Sequence, residues 1–110
     1  MADGFRLIEL ARLVVDEVDT LAAWRRAVHS DEQLMESVQS IAANIREAFG
    51  RGTIRQRDQF LGYARASADE TDEHLRRHFR RKTIPPDSYW RRHNRLTLIS
   101  KMITEIMEGS

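Results

Sequence analysis

The chain contains no cysteine, which excludes disulfides and thiolate metal sites. Proline occurs only as the pair Pro85-Pro86, and there are five glycines in 110 residues, so backbone breakers fall at very few places. No stretch approaches the roughly 18 apolar residues of a membrane span. No basic start followed by a short apolar run marks a secretory signal. The expectation is a cytoplasmic protein without a membrane partner. Strand patterning, low-complexity tracts and internal repeats are missing as well. So are the motifs Gly-x-Ser-x-Gly and His-Glu-x-x-His, and Gly50-Arg51-Gly52 is too short for a phosphate-binding loop. No enzymatic activity and no cofactor are expected.

What is present is 41% hydrophobic and 32% charged residues, the composition of a charged, folded helical domain. A chain of this length removes only about two thirds of its unfolded surface from water. Its core is therefore modest, and self-association would add burial. A single domain over residues 1–110 is expected.

The apolar positions Leu7, Leu10, Ala11, Val14, Val15, Val18, Leu21 and Ala22 fall on one arc of a 3.6-residue period, which predicts a helix over about 5–28. Ser30 and Gln33 have capping-box form, predicting a second helix over about 31–49 that closes at Gly50 in a left-handed turn. Thr53 and Gln56 repeat the box and open a third, over about 54–82, with Phe60, Leu61, Ala64, Ala68, Thr71, Leu75 and Phe79 inward. The Pro85-Pro86 break ends it. Asp87 or Ser88 then caps a fourth, over about 88–108, with Tyr89, Leu96, Ile99, Met102, Ile103, Ile106 and Met107 on its apolar side. Short links between long helices make neighbours antiparallel, so the fold class is all-α, an up-and-down four-helix bundle. Trp24, Leu98 and Met102 lie off or at the rim of these arcs, where a subunit interface would cover them.

The net charge of +1 conceals an uneven distribution. Residues 1–50 carry 5 basic and 9 acidic side chains, and residues 51–110 carry 13 and 8. Between His74 and Arg95 stand Arg76, Arg77, Arg80, Arg81, Lys82, Arg91, Arg92 and Arg95 against Asp87 alone. In an antiparallel bundle the end of the third helix meets the start of the fourth, so these eight converge. Arginine forks match phosphate and bind polyanions by releasing counterions. Phe79, Tyr89, Trp90 and the neighbouring histidines could stack on unpaired bases. Cations near the end of the third helix also complement its dipole, but those in the first turns of the fourth oppose it. The expected partner is therefore RNA or DNA. The alternatives are pairing with acidic residues such as Asp16, Asp19 or Glu36 of a neighbouring subunit or a protein partner, and a plain solvated face.

Glu70, His74 and His78 stand at i, i+4 and i+8, a carboxylate and two imidazoles on one stripe. The Glu-x-x-His pattern of diiron bundles is missing, because Thr71 stands three residues before His74, and no metal site is expected.

From Ser40 to Leu75 the chain reads Ser40-Ile41-Ala42-Ala43-Asn44-Ile45-Arg46-Glu47-Ala48-Phe49-Gly50-Arg51, then Phe60-Leu61, then Ala64-Arg65-Ala66-Ser67-Ala68-Asp69-Glu70. This resembles the four-helix-bundle family named for the 23S rRNA intervening-sequence protein, which includes the accessory variability determinant of diversity-generating retroelements. Family members show Ser-Ile-Pro-x-Asn-Ile-Ala-Glu-Gly, a Phe-Leu pair and Ala-x-Gly-Ser-x-x-Glu. Here Ala42 replaces the proline, Arg46 the alanine, and Ala48 and Ala66 the glycines. The resemblance implies a bundle assembled into a homo-oligomeric ring, often a pentamer, without established enzymatic activity. For the retroelement branch it implies nucleic-acid binding beside a reverse transcriptase. The motif residues Ser40, Asn44, Glu47, Gly50, Ser67 and Glu70 are then expected at helix seams or subunit interfaces. Asn44 and Glu47 are placed to bond across such a seam.

Overall fold

The computed structural model describes residues 2–109, with side chains from residue 4. Four long helices, α1 (Ala2–Trp24), α3 (Glu32–Phe49), α4 (Ile54–Arg80) and α5 (Pro86–Glu108), are joined by short links, with a single turn, α2 (Arg26–His29), between the first two. At about 1.5 Å per residue the 27 residues of α4 span about 40 Å, matching the 43 Å long axis of a body 20 by 19 Å in section. Each long helix packs against two others: α1 on α3 and α5, and α4 on α3 and α5. The bundle is thus closed, with up-and-down topology, as the short links require. Among the described residues no helix is long and apolar enough to cross a membrane.

The core follows the helical period. Leu7, Val14, Val18, Leu34, Val38, Ile41, Ile45, Leu61, Leu75, Ile99 and Ile103 are all fully buried. Phe60, Phe79, Met102, Ile106 and Met107 are only partly buried and pack against that core from its rim. Trp24 and Leu98 stand exposed, whereas Met102 is half-buried.

The helix ends depart from the expected ones: α4 stops at Arg80 rather than at 82, and other ends differ as well. The first helix stops at Trp24 because Arg25 is extended, and a separate turn carries Val28 into the core. Val28 lies seven residues after Leu21, nearly two full turns, so the period places it inward whether or not the helix is broken. The cap of α3 is Asp31, not Ser30: its Oδ1 accepts the Leu34 N–H at 3.1 Å, and Ser30 closes α2. Gly50 caps α3 with φ −88°, in the right-handed region, so no left-handed turn is made there. Finally, α5 begins at Pro86 behind Pro85, with no side-chain cap from Asp87 or Ser88. Proline suits the first helical position because its φ is already helical and it has no N–H to leave unpaired. Thr53 does cap α4, accepting the Gln56 N–H at 3.1 Å.

Candidate nucleic-acid interface

One end of the bundle gathers the end of α1, all of α2, the start of α3, the end of α4 and the start of α5. Its geometry is set by how α4 stops. The Lys82 N–H donates to the Phe79 carbonyl at 3.1 Å and the Thr83 N–H to the His78 carbonyl at 2.9 Å. These are the two bonds of a Schellman motif, with Lys82 at the left-handed position, φ 61°. Glycine is the usual residue there, because a side chain costs about 1–2 kcal/mol in that conformation. Lys82→Gly is expected to raise the unfolding free energy by about 0.5–1 kcal/mol, the greater flexibility of unfolded glycine offsetting part of the relief. Urea denaturation measures it.

His78 ties this turn to the start of α3. Its Nε2 lies 2.8 Å from Asp31 Oδ2, and its Nδ1 lies 2.8 Å from the Thr83 hydroxyl. Burial would push the Asp31 carboxyl up, but the Leu34 N–H and His78 outweigh it and hold the group below the usual carboxylate range. Glu70 lies 3.6 Å from His74 Nε2, while His78 faces Asp31 and Thr83. The three residues therefore do not converge, and among the described residues no group of three such ligands does.

Beside the turn, the Phe79 and Tyr89 rings stack at 5.0 Å and 7°. Trp90 meets both edge-on and is half exposed. The Tyr89 hydroxyl donates to Asp72 Oδ1 at 3.2 Å, which also lies 2.9 Å from His93 Nδ1. Arg76 donates to the Tyr89 oxygen at 3.1 Å and to Asp72 at 3.3 Å, and the Tyr89 bond raises its already high pKa further.

The eight predicted cations do not share one fate. Arg77, Arg80, Arg81, Lys82 and Arg91 are exposed, and none pairs with a carboxylate among the described residues. Arg76 is held by Asp72 and Tyr89. Arg92 is buried, donating to the Ser88 carbonyl at 2.9 Å and the Glu17 carbonyl at 3.3 Å. That burial lowers its pKa, against the pull of Glu17. Arg95 Nε lies 2.6 Å from Glu17 Oε1. So Arg92 and Arg95 bind α5 to α1 and leave the basic surface. The signal for Arg92 was in the spacing: Tyr89, Arg92, Leu96, Ile99 and Ile103 share one arc. In exchange, the broken end of α1 adds exposed Arg25 and Arg26, which sit within the acidic half of the sequence.

The family model described as 23S rRNA-intervening sequence protein matches residues 6–105. The chain belongs to this family. A crystal structure of a protein with unknown function from the S23 ribosomal protein family of Bacteroides thetaiotaomicron is 26% identical, with a TM-score of 0.76, covering 96% of this chain and 97% of that chain. The comparison with curated proteins returned no match.

The residues that resemble the 23S rRNA-intervening sequence family sit largely at the α3–α4 seam. Ser67 donates to the Ser40 hydroxyl at 3.0 Å, and one turn along Thr71 donates to the Ser37 hydroxyl at 2.9 Å. Asn44 does not bond across the seam; its amide returns to the Ser40 carbonyl and hydroxyl within α3. Glu47 pairs with Arg51 at the exposed end of the same helix, and Gly50 caps it. Ser40 and Ser67 therefore lock two helices together, with Ala64 and Ala68 beside them thin enough for close approach. Glu70 is exposed at the margin of this seam.

Proposed function

We propose that the protein is a non-enzymatic, self-associating bundle that binds the backbone of RNA or DNA through the α4–α5 end. The observation that carries this reading is the set of five exposed, unpaired cations, Arg77, Arg80, Arg81, Lys82 and Arg91, beside the half-exposed Trp90. Arginines at the start of α5 oppose the helix dipole, so helix stability does not account for Arg91. Forks on flexible stems at one end suit phosphates spaced along a strand. Exposed Trp24 and Leu98 offer apolar surface for self-association. In a filter-binding titration, log K should fall with log salt at a slope of about −3.5 for five single-strand phosphate contacts. Binding that does not respond to salt would rule the reading out.

A second reading, an assembly protein, is favoured by the acidic concavity on α4 lined by Asp69, Glu70, Asp72 and Glu73. If the basic end of one copy seats there on another, Arg80→Glu with Arg81→Glu lowers the sedimenting mass. The nucleic-acid reading predicts an unchanged mass and lost RNA binding.

A further inference from the structure

The break after α1 and the turn after α4 enclose a groove of about 540 Å³ that neither the charge pattern nor the family match brings out. Its floor is apolar, formed by Phe79, Ile84 and Pro85. Its rim is cationic, formed by Arg25, Arg80 and Lys82, and no acidic side chain lines it. None of these three cations pairs with a carboxylate among the described residues. The volume is in the range of small-ligand clefts. An apolar floor beneath three unpaired positive charges is complementary to a flat, apolar group that carries an anion.

Two further observations bear on the occupant. Phe79 links the groove to Trp90, whose half-exposed ring meets it edge-on with centroids 6.0 Å apart. A ring seated in the groove therefore has a second aromatic surface next to it, as successive bases on a strand need. Lys82 is held at φ 61°, where glycine would relieve the backbone. Strained backbone of this kind clusters at ligand clamps, and here it carries a charged side chain on the rim of the groove.

We infer that this groove receives one unpaired nucleotide of a single strand. The base lies on the Phe79, Ile84 and Pro85 floor, and its phosphate is held by Arg25, Arg80 and Lys82. The inference rests on the nucleic-acid reading above and adds to it a choice of single strand over duplex. A base in a duplex is paired and stacked, and cannot enter the groove without first leaving the helix.

The test uses the full chain with a labelled 15-nucleotide oligouridine and an RNA duplex of equal length, at matched salt, by fluorescence anisotropy. Arg25→Ala and Lys82→Gly alter the groove at exposed positions, and Arg77→Ala removes an exposed charge outside it. The oligouridine should bind about tenfold more tightly than the duplex, one stacked base supplying that factor. Arg77→Ala should weaken the oligouridine about fivefold at 0.1 M salt, as for one phosphate contact, and Arg25→Ala and Lys82→Gly should each weaken it at least about threefold more than that. All three should affect the duplex alike. If groove and non-groove variants weaken the oligouridine equally while both RNAs still bind, the groove assignment is overturned and the backbone reading stands. If neither these RNAs nor an oligothymidine of equal length binds at low salt, the backbone reading fails and the groove assignment with it. An acidic peptide of alternating glutamate and phenylalanine that binds more tightly than the oligouridine, and loses affinity in both groove variants, would replace the nucleotide with a protein segment and overturn the proposal.

Discussion

Leu75→Ala should lower the unfolding free energy by about 2–5 kcal/mol, a large part of the roughly 5–15 kcal/mol that holds a domain of this size together. The reason lies in how α4 meets the core. Its buried residues are Leu61, Ala64, Ala68, Thr71, His74, Leu75 and His78, so only two are large aliphatics. The alanines and the threonine that precede it on α4 are too short to reach into the space Leu75 leaves. The hydroxyl bonds from Ser67 and Thr71 also hold α4 to α3, at 3.0 and 2.9 Å, which limits collapse of the cavity. Urea denaturation should show a lower midpoint with an unchanged slope. A loss below about 1 kcal/mol would mean that the seam relaxes, contrary to the close contact described.

The second large effect is expected at Asp31, which serves two elements at once. Its carboxylate caps α3 through the Leu34 N–H and anchors the end of α4 through His78. Losing a cap costs about 1 kcal/mol and losing a charge-assisted bond about 1.5–3, so Asp31→Ala should cost about 2–3 kcal/mol, the two roles overlapping. The pH dependence has a definite sign. The folded Asp31 carboxyl titrates below its unfolded value of about 3.9, so its stabilising contribution is fully present above that pH and is lost as pH falls through the folded pKa. Equilibrium unfolding between pH 2 and 7 should therefore show the wild type and Asp31→Ala converging at the acid end and separating above about pH 4. Asp31→Asn keeps a capping oxygen but not the charge, and should fall between them. Parallel curves for wild type and Asp31→Ala would show that the carboxylate charge is not what stabilises the pair.

The fold was largely legible in the sequence because helices bury one stripe, and a stripe shows as a 3.6-residue period. Ile41, Ile45, Ile99 and Ile103 were placed inward by that rule and are fully buried. Helix ends were less legible. Ser30 and Asp31 are both good caps, and the choice between them rests on His78, 47 residues away from Asp31. The break at Arg25 has no glycine or proline to mark it, and the buried Val28 satisfies the period either way. Pro86 begins α5 because its ring fixes φ, which outweighs the capping preference of Asp87 and Ser88.

The basic end divides along the same line. By itself, the sequence determined that cations crowd the Pro85-Pro86 turn, because charge density is a local property and an antiparallel bundle brings the flanks of a turn together. Only the tertiary structure decided which of them face outward. Arg92 lies on the arc of Leu96 and Ile99 and is drawn into the bundle, and Arg95 meets Glu17 across the α1–α5 contact. Arg25 reaches the same end from a distant, acidic stretch. Each of these outcomes depends on which helices are neighbours, and side-chain partners set by packing between helices have no trace in the local period of any one of them.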